Sequence, residues 1–207
     1  MLIAKRKTKI GAHHHGRKMS LEAFEFAKVE DGWLAELARG YLVVSEVANW
    51  AHGSQIIAIK RPLEVYAATQ PGIIYAVLGS MECKLRVPKF ESERHPDISI
   101  YFTEPKKPWD RTMWRRWLPE LTIEVVSDDS RERDYIHKRE EYWSLGIKEY
   151  WIVDAKLEQV IILRRGKSDW IEKTLGPDDT CETKLLPGFK MPCGTIFEAA
   201  GDKEDEA

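Results

Sequence analysis

Leu121-Thr122-Ile123-Glu124-Val125-Val126 is the stretch on which the fold turns. Aliphatic and β-branched residues dominate it, so it reads as a strand. Its near-continuous apolar character marks a central strand buried on both faces. One carboxylate interrupts the run. An ionised Glu124 in such surroundings is costly unless it is paired, protonated or bound to a cation. From this strand alone, a structural ion pair and a functional acid are equally good readings.

Upstream lies Pro96-Asp97-Ile98-Ser99-Ile100-Tyr101-Phe102, an alternating strand opened by an acid after a proline. Taken alone, Asp97 is a turn residue more often than a ligand. Two neighbouring strands that each offer one acid to the same edge would form a hard-oxygen site. Magnesium prefers that chemistry: one or two carboxylates, several waters and substrate phosphate oxygens. Downstream, Asp129 or Ser130 caps a helix running to about Leu145, and Gly146 ends it. Tyr135, Lys138, Tyr142 and Leu145 follow one another at spacings of 3, 4 and 3 and share a face. Lys138 therefore interrupts the side that should meet the sheet. Its head either snorkels to water or turns back to the carboxylates, where an ammonium would orient a water and stabilise charge on phosphorus.

The remaining segments complete a mixed α/β chain. Ser20 caps a helix predicted over residues 21–28. Trp33 to Ala38 and Tyr41 to Ser45 form a hairpin about Arg39-Gly40. His52 to Thr69 is helical, with Ile56, Ile59, Leu63 and Tyr66 at helical spacing, and Pro62 is expected to kink or divide it. Ile73 to Leu78 and Met81 to Val87 read as a second hairpin about Gly79-Ser80. Glu149 to Val153, Gln159 to Leu163 and Asp169 to Leu175 are further strands.

With 207 residues, 43% hydrophobic and a formal net charge of -2, the chain can bury one real core and is no broadly basic coat protein. There is no apolar run of about 18 residues to cross a membrane, and residues 1–18 lack the long apolar stretch a secretion signal requires. Cys83, Cys181 and Cys193 lack zinc spacing, which fits a reducing cytoplasm. Residues 1–18 carry Lys5, Arg6, Lys7, Lys9, Arg17 and Lys18 with no acid and read as a basic flexible tail. The run His13 to His15 there reads as incidental. Residues 199–207 read as an acidic flexible tail, leaving one domain over 19–198. Between the two acidic strands, Lys106, Lys107, Arg111, Arg115 and Arg116 outnumber Asp110, with Trp109, Trp114 and Trp117 interleaved. That mixture suits phosphate contact and base stacking. The tryptophans read slightly better as core packing, and Arg115 and Arg116 as nucleic-acid contacts.

The order of Asp97, Glu124 and Lys138 resembles the PD-(D/E)XK nuclease pattern, and the chain looks most like the Uma-two family of endonucleases. Met19-Ser20-Leu21-Glu22-Ala23-Phe24 is similar to the family's opening helix. The segment from Ala35 to Val44 is similar to its hairpin, Lys148-Glu149-Tyr150-Trp151-Ile152-Val153-Asp154 to its most recognisable strand, and Leu186-Pro187-Gly188-Phe189 to its C-terminal turn. The resemblance implies a restriction-endonuclease-like α/β (α+β) fold, a central mixed sheet flanked by helices with additional β-hairpins. It implies that Asp97 and Glu124 bind Mg2+ or Mn2+, with Glu36 as a further metal residue. Val126 stands where the usual lysine would be, and Lys138 on the following helix takes that place. His52 falls where the family often has a histidine, and otherwise reads as a helix-start residue. Pro62 and the segment from Trp109 to Trp117 depart from the family pattern.

The expected function is metal-dependent hydrolysis of DNA phosphodiester bonds by a cytoplasmic, membrane-free enzyme, with a homodimer compatible. The rivals are a catalytically inactive module of the same fold that binds DNA or a partner, and a scaffolding protein. The deciding geometry is whether Asp97 and Glu124 share one sheet face with Lys138 turned towards them.

Overall fold

The computed structural model describes residues 8–46 and 50–201. They divide into two compact units: residues 8–46 with 85–95, and residues 50–84 with 96–201. The architecture is mixed α and β, as expected.

The larger unit is built on six strands in the order Trp170–Leu175, Gln159–Arg165, Glu149–Asp154, Leu121–Val125, Ile98–Tyr101 and Ala76–Gly79. All neighbours are antiparallel except Leu121–Val125 and Glu149–Asp154, which run parallel. A parallel pair needs a crossover, and the helical segment between Val125 and Glu149 supplies it. Every residue of Leu121–Val125 is buried, as predicted, and so is every residue of its neighbours Ile98–Tyr101 and Glu149–Asp154.

Alternation gives the two faces different chemistry. Ile98, Ile100, Leu121, Ile123, Val125, Trp151 and Val153 join the apolar core with Ile59, Leu63 and Tyr66 of the helix Trp50–Thr69 and Ile196 and Phe197 of the helix Gly194–Gly201. The intervening residues Ser99, Thr122, Glu124, Tyr150 and Asp154 belong to the opposite face. Pro62 does not divide its helix. Ile59 and Leu63, both fully buried on either side of it, hold the turn by packing where the proline has removed a backbone donor. Gly146 ends the crossover helix with φ 86°, a left-handed conformation that glycine adopts without steric cost.

The hairpin expected from Ile73 to Val87 does not form. Ala76–Gly79 pairs with Ile98–Tyr101, whereas Leu85–Val87 pairs with Ser92–Arg94 in the smaller unit. Turn residues at Gly79-Ser80 signal a change of direction but not which partner follows, and the long-range pairing wins.

The smaller unit is a four-stranded antiparallel sheet ordered Tyr41–Glu46, Trp33–Ala38, Ser92–Arg94, Leu85–Val87. Its hairpin turns at Arg39 and Gly40, both at positive φ, the conformation of a two-residue type I′ turn. Ser20 caps its helix, as predicted, by accepting the Ala23 N–H, but the helix is shorter than predicted, Leu21–Glu25.

The basic flexible tail is also corrected. Residues 1–7 lie outside the described residues, but from Thr8 the chain is packed. Lys9–Ile10 pairs in parallel with Lys28–Val29, and Lys18 bridges Tyr41. His15 Nδ1 lies 3.2 Å from the Val44 nitrogen that donates to it. Ile10 is 0% exposed in a core with Leu21, Phe24, Leu37 and Leu42. One well-placed apolar side chain in a charged segment is enough to anchor it. At the other end, residues 199–201 of the expected acidic tail belong to the last helix, and 202–207 lie outside the described residues.

Two stability predictions follow from this packing. Ile10→Ala should destabilise the protein by about 2–4 kcal/mol, read by urea denaturation, because a buried aliphatic side chain is truncated; an unchanged midpoint would return the segment to the status of a tail. Glu149 is fully buried, accepting from Trp151 Nε1 at 2.6 Å and Thr183 Oγ1 at 2.9 Å. Burial raises its pKa above the ordinary value despite both bonds and Arg164. The folded state therefore holds this proton more tightly, and the group's contribution to stability is lost as pH rises from the ordinary carboxyl pKa through the raised one. Glu149→Gln should raise the melting temperature at pH 7 and have less effect at pH 4. A larger gain at pH 4 would contradict the sign.

Candidate active site

The site forms where the second face of the sheet meets the crossover helix. Ile98 pairs with Ile123 and Ser99 with Thr122, and this register carried on by one residue sets Asp97 opposite Glu124. Directly opposed residues point to the same face with Cβ atoms about 5 Å apart. Asp97 Oδ2 accepts the N–H of Val125 at 2.8 Å. With Pro96 just before it, Asp97 finishes the ladder by a carboxylate where the strand backbone has ended.

Glu124 is 2% exposed. Its Oε1 accepts from the Tyr142 hydroxyl and its Oε2 lies 2.8 Å from Lys138 Nζ. Lys138 is 5% exposed, so its head does not snorkel to water. The ammonium also lies 2.8 Å from Asp134 Oδ1, one helical turn earlier and 1% exposed. Asp134 is fixed in turn by the Ser130 hydroxyl on its other oxygen, while its carbonyl accepts from Tyr150 Oη at 2.9 Å. The crossover segment opens with a π turn over Arg133–His137 before the α-helix Lys138–Leu145. Asp134, Lys138, Glu141 and Tyr142 are its buried residues. Tyr135, expected on that face, instead donates to Asp154 at 2.8 Å and is half-buried.

His52, near the start of the long helix, places Nε2 3.4 Å from Asp97 Oδ1. Burial disfavours its imidazolium. The Asp97 bond and the charges of Asp97 and Asp134 outweigh both burial and the Lys138 ammonium, and its pKa is raised above the ordinary value.

Asp97, Glu124 and Lys138 are thus brought together, and sequence reading missed Asp134 and the hydroxyl of Tyr142 as their supports. The signal for Asp134 was there, a carboxylate four residues before the lysine on the same helical face. Glu36 belongs to the smaller unit, where its carboxylate accepts the His95 N–H at 2.8 Å and an Arg94 guanidinium N–H at 3.3 Å.

The basic segment has a different location. Lys106, Lys107, Arg111, Arg115 and Arg116 are exposed on the connection from Tyr101 to Leu121, which carries a short 3-10 helix over Arg111–Arg115. Asp97 and Glu124 lie towards the opposite ends of those two strands. At 3.3 Å per residue, the run from Asp97 to Tyr101 spans about 13 Å.

Two carboxylates, Glu124 and Asp134, share one ammonium, and a third, Asp97, stands at the neighbouring strand end beside His52. Such an excess of buried or half-buried negative charge is unfavourable alone and suits an added cation. Among the described residues no group of three or more His, Cys, Asp or Glu is placed as a ready-made metal cage. Two hard-oxygen donors suit an ion that keeps most of its waters, as magnesium does, so the donor set fits such an ion.

The Uma2 family profile, described as "Putative restriction endonuclease", matches residues 21–194. Among solved structures, the chain is similar to a "putative nuclease belonging to DUF820" from Anabaena variabilis ATCC 29413, with a TM-score of 0.69 and 14% identity, over 88% of this chain and 99% of that one. That likeness supports the restriction-endonuclease-like fold. No curated protein matches the chain. No helix among the described residues is long and apolar enough to cross a membrane. With most of its length covered by the profile, the chain belongs to the Uma2 family of restriction-endonuclease-like nucleases.

Proposed function

We propose that this chain is a metal-dependent endonuclease that hydrolyses DNA phosphodiester bonds, with Asp97, Glu124 and Lys138 as its catalytic residues. The observation that carries the reading is the convergence of Lys138 on Glu124 next to the strand end that Asp97 completes. Asp97 and Glu124 would hold Mg2+ or Mn2+. Such an ion, when bound, polarises the phosphate and lowers the pKa of a coordinated water.

The chain's own residues have separable tasks. Tyr142 fixes one oxygen of Glu124, so that carboxylate cannot rotate freely. Lys138 offers a positive charge where negative charge develops on phosphorus, and its ammonium orients a water by hydrogen bonding. Asp134 is a positioning residue: it holds the Lys138 head from the side away from Glu124. Glu36, expected as a further metal residue, is bound by Arg94 and the His95 N–H within the smaller unit. The exposed basic segment between Tyr101 and Leu121 would hold backbone phosphates away from the cleavage point.

One observation favours a second reading, a non-cleaving DNA-binding module. Each oxygen of Glu124 and Asp97 already has a protein partner, as in a purely structural polar core. A carboxylate oxygen can accept more than one bond, so the question is one of activity. Wild-type protein that binds DNA but leaves supercoiled plasmid intact with either metal would establish the second reading.

Asp97→Asn and Glu124→Gln retain an acceptor for Val125 and Tyr142, and each should abolish metal-dependent nicking while keeping the native circular dichroism. Full activity in either folded variant would overturn the assignment. Glu124→Ala is a poorer test, since removing one partner of a buried ion pair costs about 3–5 kcal/mol.

Lys138→Met, assayed as protein whose native circular dichroism is retained, should slow nicking on the order of 10²- to 10³-fold while magnesium binding by calorimetry is retained or strengthened, because an ammonium repels the cation. Weaker magnesium binding in that variant would contradict the role given to Lys138.

A further inference from the structure

The three tryptophans between the acidic strands have different fates. Trp117 stacks on Tyr101 with ring centroids 3.9 Å apart and donates Nε1–H to the Thr103 carbonyl at 2.7 Å. Trp114 lies 5.6 Å from Trp117, and both are half-buried. These two anchor the connection to the sheet. Trp109 is 63% exposed.

An exposed indole is normally mobile, but this one is held. Its Nε1–H donates to the Pro105 carbonyl at 3.1 Å, and the Lys107 ammonium sits 4.9 Å from the ring centroid. The next residue, Asp110, caps the following turn by accepting from Thr112 N at 2.8 Å and Thr112 Oγ1 at 2.6 Å. A large flat apolar surface is thus presented to solvent with a backbone anchor on its N–H and a cation beside its ring. Around it, Lys106, Lys107, Arg111, Arg115 and Arg116 are exposed against Glu104 and Asp110.

We infer that Trp109 is a stacking platform for an unpaired base of single-stranded DNA whose phosphates are held by the surrounding cations. The inference rests on the DNA reading above and adds the state of the strand. In a duplex the base faces are already stacked on one another, so a protein ring meets a face only when a base is unpaired or extruded. The cations point to a polyanion rather than an apolar protein partner. The platform lies at the end of the strands away from Asp97 and Glu124, so it holds the strand at a distance from the cleavage point and does not take part in the chemistry.

The test is fluorescence anisotropy with a labelled oligothymidylate and a labelled blunt duplex of equal length, in EDTA so that nothing is cut. Trp109→Ala should weaken oligothymidylate binding about tenfold, within the range of one base–aromatic stack, and leave duplex binding within twofold. The slope of log affinity against log salt should not change, since no phosphate contact is lost. Trp109→Phe, which keeps a ring but loses the bond to Pro105, should retain most of the affinity. Unchanged single-strand binding in Trp109→Ala, equal losses on both DNAs, or a Phe variant as weak as the Ala variant would each overturn the platform, the last by assigning the ring to loop anchoring. Plasmid nicking is scored separately. Trp109-dependent binding without nicking sinks the nuclease reading alone, and nicking with Trp109-independent binding sinks the platform alone.

Discussion

A lysine head buried between two carboxylates is the constraint around which the second face of the sheet is arranged. Lys138 cannot be withdrawn to water without leaving Glu124 and Asp134 to be protonated or to take another cation in a dry environment. The neighbouring structure serves that arrangement. The parallel pairing of Leu121–Val125 with Glu149–Asp154 forces a crossover, the crossover is helical, and its first turns deliver Asp134 and Lys138 to the strand that carries Glu124. Tyr142 and Tyr150, in edge contact at 4.9 Å between centroids, spend their hydroxyls on Glu124 and on the backbone of Asp134.

The opposite face has one such demand, the buried carboxylate of Glu149, met by Trp151 and Thr183. Its isoleucines, valines and Trp151 meet two helices with little polar chemistry, and this is where the sheet gains most of its hydrophobic stabilisation. Rigid apolar packing on one side lets the other side carry charges that are unfavourable for stability. The division follows from strand alternation alone: one residue of slip in Leu121–Val125 would put Glu124 into the apolar layer and Ile123 among the carboxylates.

Much of this was legible in the sequence, where the signal was local. The serine cap at Ser20, the Arg39-Gly40 turn and the Gly146 stop act through a few adjacent residues, and each is found where predicted. The strand of Glu124 was legible because burial on both faces leaves an apolar run. What failed depended on partners far along the chain. Nothing near Ala76 says that it pairs with Tyr101 and not with Leu85. Nothing in the basic N-terminal residues says that Ile10 has a core to enter. Asp134 and Tyr135 stand four and three residues before Lys138, and regular helical spacing does not choose between them; the π turn over Arg133–His137 turns Tyr135 aside to Asp154 and leaves Asp134 inward. The placing of the basic connection at the far end of the strands from Asp97 follows from pairing direction, which composition does not encode.

The excursion of residues 85–95 into the smaller unit carries a consequence for biogenesis. Neither unit is a continuous piece of chain. On a ribosome that adds residues from the N-terminus, the smaller unit lacks two of its four sheet strands until the chain has emerged past Arg94, by which time the long helix of the larger unit is already synthesised. The edge of Trp33–Ala38 that later receives Ser92–Arg94 is exposed throughout that interval, an open strand edge of the kind that invites pairing with another chain. A nascent protein of this topology therefore carries that unpaired edge for longer than a protein of two successive domains does.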